Sequence, residues 1–135
     1  MPKYLPIIST DKWTVKPKEL VKLWAIVGWC KETDYAHQTV KAGIRNTSLL
    51  VSARNKNGQL IGFARVLSDE HTIAWLAELV VHPDYQSKGV GKRLVRVVKD
   101  YYNHTSLVLE TFTWNRKFFN RCGFRERKLI VFVNN

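Results

Sequence analysis

Residues 76–94 read LAELVVHPDYQSKGVGKRL, and the succession of residue types along them decides which fold the chain can adopt. Leu76, Leu79, Val80 and Val81 form a nearly continuous apolar run, as a buried strand does, and Pro83 must end it because proline cannot donate to a ladder. From Leu94 onward, Val95, Val97, Val98, Tyr101 and Tyr102 recur at helical spacing, with Lys92, Arg93, Arg96, Lys99 and Asp100 between them. Strand and helix are joined by Gln86-Ser87-Lys88-Gly89-Val90-Gly91, whose two glycines let the backbone turn sharply and approach a bulky group closely. Such a turn aims several free N–H groups at one point, at the positive end of the helix dipole. A pyrophosphate suits that site better than a lone carboxylate. Charge-assisted bonds contribute roughly 1.5 to 3 kcal/mol each, so three or four amides hold a nucleotide firmly. The spacing is neither a P-loop, which needs a longer glycine pattern ending in Gly-Lys-Ser/Thr, nor a Rossmann fingerprint, which needs a third glycine and a downstream acid. Gly-x-Gly alone reads equally well as a glycine turn entering a surface helix.

The pattern as a whole is more specific. A strand followed by Val81-x-Pro83-x-Tyr85-Gln86-x-x-Gly89-x-Gly91-x-x-Leu94 resembles the acetyl-coenzyme A signature of the GNAT superfamily of N-acetyltransferases. The resemblance implies that Gln86, Ser87, Lys88, Gly89, Val90, Gly91 and Lys92 wrap the pyrophosphate of acetyl-CoA. It also implies that Leu79, Val80 and Val81 pair with the pantetheine arm as though it were another strand, and that the Val81 N–H binds the acetyl oxygen. Asn115, Phe118 and Phe119 fall where the family's next helix completes the cofactor site. The implied fold is α/β: a GNAT-like acyl-CoA N-acyltransferase domain over residues 1–135, with a mixed, mostly antiparallel sheet of about six strands flanked by four helices.

Composition agrees with one domain. The chain has 135 residues with 45% hydrophobic side chains, enough for a core. Cys30 and Cys122 are isolated, so neither a disulfide framework nor a zinc site is expected, and no metal is called for. Both read as small buried residues. No targeting pattern opens the sequence and its apolar runs are too short to span a bilayer, so the expected address is cytoplasmic with no membrane partner. The net charge of +11 calls for a polyanionic partner or a wide solvated surface. Residues 1–85 carry 11 basic and 8 acidic side chains, residues 86–135 carry 11 and 3, so the surplus lies in the half with the glycine turn. That suits a phosphate-rich cofactor, and nucleic acid stays open as a partner.

Taken in order, residues 4–10 read as a first strand. A helix starts near Pro17 with the stripe Leu20, Leu23, Trp24 and Val27, and extends toward Trp29. Asp34 is placed to cap a second helix over residues 35–45. Residues 48–53 and 60–67 read as a hairpin around Asn57-Gly58, and Gly62 marks a bulge or a close approach. A third antiparallel strand begins near Thr72. Residues 107–109 make a short strand, Asn115 caps a short helix that Gly123 ends, and residues 127–133 close the chain as a strand. The family commonly has two strands after that helix, so the far sheet edge is left bare or completed by a second subunit, and a homodimer is a possible assembly.

In the resemblance, the first helix and the loop after it wall the acceptor pocket. Trp24, Trp29 and Tyr35 are thus candidates to line it, with core packing at helical spacing as the competing reading. Acetyl transfer to an amine rests mostly on positioning, which accounts for roughly 7 to 11 kcal/mol. A base for the ammonium proton adds about 10² to 10⁴ in rate. Glu110 matches a strand position where some members place a catalytic carboxylate, and Glu78 lies on the neighbouring strand. Either carboxylate reads equally well as half of an ion pair. His82, before a proline, reads more simply as a turn residue. Where many members carry a tyrosine acid this chain has Phe119, which has no proton to give. Three readings follow: an acetyl-CoA-dependent N-acetyltransferase acting on a primary amine of a small molecule, peptide or protein; a non-catalytic acetyl-CoA-binding regulatory module; and a basic RNA-associated acetyltransferase.

Overall fold

The structure is a computed structural model that describes residues 5–134. Its strands are β1 (Ile7–Ser9), β2 (Leu49–Arg54), β3 (Leu60–Ser68), β4 (Ile73–Val81) and β5 (Ser106–Val108); its helices are α1 (Pro17–Ile26), α2 (His37–Arg45), α3 (Val90–Tyr101) and α4 (Arg116–Arg121). The strands form one sheet in the order β1-β2-β3-β4-β5. Pairing is antiparallel as far as β4 and parallel between β4 and β5. The sheet is therefore mixed and mostly antiparallel, with helices on both faces.

Alternation along the strands sends their apolar side chains two ways. On one face Val51, Ala53, Ile61, Ala64, Val66, Ala74 and Leu76 meet Val90, Leu94, Val95 and Val98 of α3. On the other, Leu50, Leu60, Phe63 and Val80 meet Leu20, Val21 and Leu23 of α1 and Val40 and Ile44 of α2. Gly62 marks the close approach: a Cβ there would sit 2.9 Å from the Val80 carbonyl oxygen and 3.3 Å from Leu94 Cδ1. Only glycine lets α3 lie this tightly on β3 and β4.

Polar clasps set the helices. Arg54 grips Glu19 with both ends of its guanidinium, at 2.6 and 2.9 Å, and also donates to the Thr14 and Gly58 carbonyls, which fixes the first turn of α1 to the end of β2. That bond with Arg54 holds the Glu19 carboxyl below its ordinary pKa. Lys12 Nζ donates to the Arg45 and Thr47 carbonyls, neutralising the C-terminal end of α2. Lys99 Nζ donates to the Cys122 carbonyl at 2.7 Å and so ties α3 to the end of α4.

Several expectations change. The first strand covers only Ile7–Ser9, and Tyr4 lies outside the described residues. α2 starts at His37 with Ala36 as its N-cap, because Asp34 spends its carboxylate on the Lys31 N–H one turn earlier. The hairpin between β2 and β3 forms, but not as a two-residue turn. Among Asn57 and Gly58 only Gly58 has positive φ, and the Asn55 side chain accepts from the Asn57 and Gln59 N–H groups to shape the loop. Cys30 and Cys122 are free and half-buried rather than fully buried. Residues 127–133 form no strand, so the sheet has five strands among the described residues instead of about six. An apolar run becomes a strand only with an edge to pair with, and here it has none.

The turn between β3 and β4 depends on one carboxylate. Asp69 accepts from the N–H groups of His71, Thr72 and Ile73 and from the Thr72 hydroxyl. These bonds, the Thr72 hydroxyl foremost, drive its pKa far below the ordinary carboxylate value. A group depressed in the folded state stabilises above its unfolded pKa of about 3.9 and loses that contribution as pH falls below it. Asp69→Asn should therefore lower stability at pH 7, with the gap from wild type closing as urea unfolding is repeated from pH 5 down to pH 2.5. A gap that does not change with pH would show that the charge of Asp69 contributes nothing.

Candidate active site

The site begins where β4 and β5 part. The two strands pair only from Ile73 opposite Ser106 to Trp75 opposite Val108. At the same point the register between β3 and β4 shifts: Arg65 faces Glu78 while Val66 faces Leu76, which leaves Ala77 as an extra residue on β4. This bulge re-aims the strand. Before it, Ala74 and Leu76 point toward α3; after it, Leu79 and Val81 do, and Glu78 and Val80 turn toward α1.

Beyond Trp75 the β5 side of β4 has no strand partner. His82 N–H donates to the Ile61 carbonyl at 2.7 Å, so by ladder alternation Val81 and Leu79 turn their backbone groups away from β3 and into the gap. There the Val81 carbonyl accepts from Gln86 Nε2 at 2.9 Å, which pins the following loop against the strand end. The Val81 N–H is left facing the gap.

The loop then makes its turn with two residues of positive φ, Ser87 at 60° and Gly89 at 87°. Gly89 thus answers a backbone need, whereas Gly91 answers a packing need: a Cβ on Gly91 would lie 3.2 Å from Phe118 Cζ and 3.5 Å from Val81 Cγ2. Val90 is buried beneath and anchors the helix start. None of the backbone N–H groups of residues 87–92 donates to any described residue. Lys88 lies over the Tyr85 ring at 5.6 Å, and Lys92 is exposed. The result is a row of unengaged donors at the start of a helix, flanked by cations.

The two carboxylates differ in state. Glu78 is clasped by Arg65, whose Nε and Nη2 donate at 2.8 and 2.9 Å, and it accepts from the Trp24 indole at 3.2 Å. Glu110 follows β5, is exposed, and makes no hydrogen bond or ion pair with any described residue. Trp24 and Tyr35 come together with ring centroids 5.6 Å apart, so Trp24, Tyr35 and Glu78 form one cluster. Trp29 does not join it. It lies beyond the end of α1, about half exposed, and its backbone N–H donates to the Trp24 carbonyl. Tyr35 also borders a groove of about 530 Å³ between α1 and α2, where Lys22, Glu32 and His37 add charge that periodicity did not single out.

Phe118 and Phe119 pack edge to face at 5.0 Å, and Phe119 meets Phe124 in the same way at 5.9 Å. Phe119 is a packing residue at the end of α3. Asn115 stands at the N-cap position of α4, but its side chain donates to Thr111 Oγ1 instead of capping. His82 Nδ1 accepts from the Asp84 N–H, which makes it a turn residue. Arg65 escaped sequence reasoning; its signal was a lone charge inside an apolar strand run. No group of three or more His, Cys, Asp or Glu side chains suited to a metal occurs among the described residues.

Comparison with known proteins places this geometry. The model of the acetyltransferase (GNAT) family matches residues 14–124. The uncharacterised N-acetyltransferase ycf52 of Pyropia yezoensis is 38% identical over 91 residues, 65% of this chain and 50% of that protein. The chain spans about half the length of the curated relatives it matches. A probable acetyltransferase of Staphylococcus aureus superimposes with a TM-score of 0.82 at 16% identity, covering 97% of this chain and 100% of its own. The aminoglycoside-named AAC(6')-Iy, solved with a CoA-linked bisubstrate analogue, gives 0.70 at 17%, covering 98% and 99%. The matched span contains the parted strands, the pinned loop and the helix start with its free amides, and the chain belongs to the GNAT family of acetyltransferases.

Proposed function

We propose that the chain transfers the acetyl group of acetyl-CoA directly to a primary amine. The observation that carries this reading is the row of unengaged N–H groups over residues 87–92 beside the unpartnered edge of β4. A pyrophosphate fits the first, and an amide-bearing arm fits the second, since Leu79 and Val81 offer it the groups a neighbouring strand would use. AAC(6')-Iy holds its CoA-linked analogue on the same fold.

The amine nitrogen attacks the thioester carbonyl, and the Val81 N–H receives the oxyanion that forms. Glu110, free of partners, takes the proton from the amine directly or through one water. Glu78 is committed to Arg65 and Trp24, so its role is to hold the Trp24 wall and present negative charge to an approaching ammonium. The C–S bond then breaks. Phe119 offers no proton, but a thiol with pKa near 8.5 leaves as thiolate at a penalty of only about 2 kcal/mol at pH 7, and water protonates it afterwards.

Acetyl-CoA at about 100 times its Kd should stabilise the protein by about 2.7 kcal/mol, a Tm rise of roughly 8 to 12 °C. Gly89→Val, strained by the positive φ, should lower the unliganded Tm slightly and abolish that rise. No shift in wild type with millimolar acetyl-CoA would refute the proposal.

Glu110→Gln should reduce kcat by about 10² without weakening acetyl-CoA binding. The loss should be largest at low pH, where the amine is protonated, and should shrink as pH approaches its pKa of about 10.4. An unchanged pH–rate profile would remove Glu110 from the reaction and transfer the proton step to Glu78.

A further inference from the structure

Two unsatisfied features lie in the C-terminal part of the chain. The first is the segment after α4. Phe124 is held against Phe119, and Glu126 is paired with Arg116 at 2.9 Å. Beyond them Leu129, Ile130, Val131, Phe132 and Val133 run consecutively, each between 59% and 90% exposed. No described residue accepts or donates a hydrogen bond to them. In an extended chain Leu129, Val131 and Val133 would face one way and Ile130 and Phe132 the other, so the run is apolar on both faces. That is the pattern of an interior strand, and β-branched residues dominate it.

The second is the sheet edge. β5 pairs with β4 on one side and with nothing on the other among the described residues. Around it Ile73, Trp75 and Val108 are exposed, and the stacked rings of Phe112 and Trp114, 4.4 Å apart, stand out of the chain just after it. An open edge with apolar surroundings is a template for another strand.

We infer that these features satisfy each other across a twofold axis: residues 127–133 of each copy add as a strand to the outer edge of β5 of a second copy. The exchange is self-complementary, because every copy brings one donor segment and one open edge, so it closes at a dimer. It supplies the sixth strand, covers the exposed rings, and stiffens β5, which is otherwise held by three register pairs. Copies carrying +11 each repel one another, so the association is driven by apolar burial and ladder bonds and should tighten as salt is added. The inference does not depend on the chemistry proposed above.

The test is the solution mass of the full chain by sedimentation equilibrium, with hydrogen exchange on the same samples. Wild type should approach twice 15.7 kDa at micromolar concentration. Amides of residues 106–109 and 128–133 should be protected in the dimer and lose protection on dilution. Ile130→Pro/Val131→Pro removes two successive N–H groups, one of which must face the ladder, and touches nothing packed in the single chain. It should weaken association at least tenfold while leaving exchange in α3 and β3 unchanged. A wild-type monomer, or a double variant that dimerises as well as wild type, would overturn the inference. So would protection of residues 128–133 in a monomer, which would mean that each segment pairs with its own β5, or association that weakens with salt.

Discussion

The bulge at Ala77 is the constraint on which the site depends. One extra residue on β4 changes which side chains face α3, releases β4 from β5, and turns Glu78 from the α3 core toward α1. Without it, strict alternation would put Glu78 on the same face as Ala74 and Leu76, a buried carboxylate among Val90, Leu94 and Val98. With it, the carboxylate meets Arg65 and Trp24, and the backbone of Leu79 and Val81 opens onto a gap. Bulges bend a strand and end its pairing, and here both effects are used.

Everything around the gap serves to hold its two lips apart and in place. Gly62 lets β3, β4 and α3 lie closely enough that the helix start abuts the strand end, and Gly91 lets Phe118 close the other side. The Gln86 side chain bonds back to Val81, so the loop's amides point outward. On the opposite face the Arg54–Glu19 clasp fixes α1, and α1 delivers Trp24 to Glu78. These clasps are part-buried and multiply bonded, which distinguishes them from the exposed Arg116–Glu126 pair at the chain's free end.

What the sequence disclosed followed from how local each rule is. The strand, glycine turn and helix over residues 76–94 obey rules that act within a few residues, and they formed as read. The position of Asn115 was legible for the same reason, while its capping bond was not, because Thr111 competed for the side chain. Asp34 failed as a cap through similar competition from the Lys31 N–H. The Arg65–Glu78 pair was out of reach because a bulge shifts the register, and nothing local marks Ala77 as the extra residue. Residues 127–133 show the limit most clearly: an apolar run announces a strand, but only a partner edge makes one.

The central claim is that acetyl-CoA lies along the free edge of β4 with its pyrophosphate on the amides of residues 87–92. Amide chemical shifts of ¹⁵N-labelled protein during titration with acetyl-CoA report on it most directly. The account predicts that the N–H resonances of residues 87–92, Leu79 and Val81 move most, and that desulfo-dephospho fragments lacking the pyrophosphate leave the 87–92 set unmoved. Large shifts confined to the groove between α1 and α2, or none at saturating ligand, would contradict it.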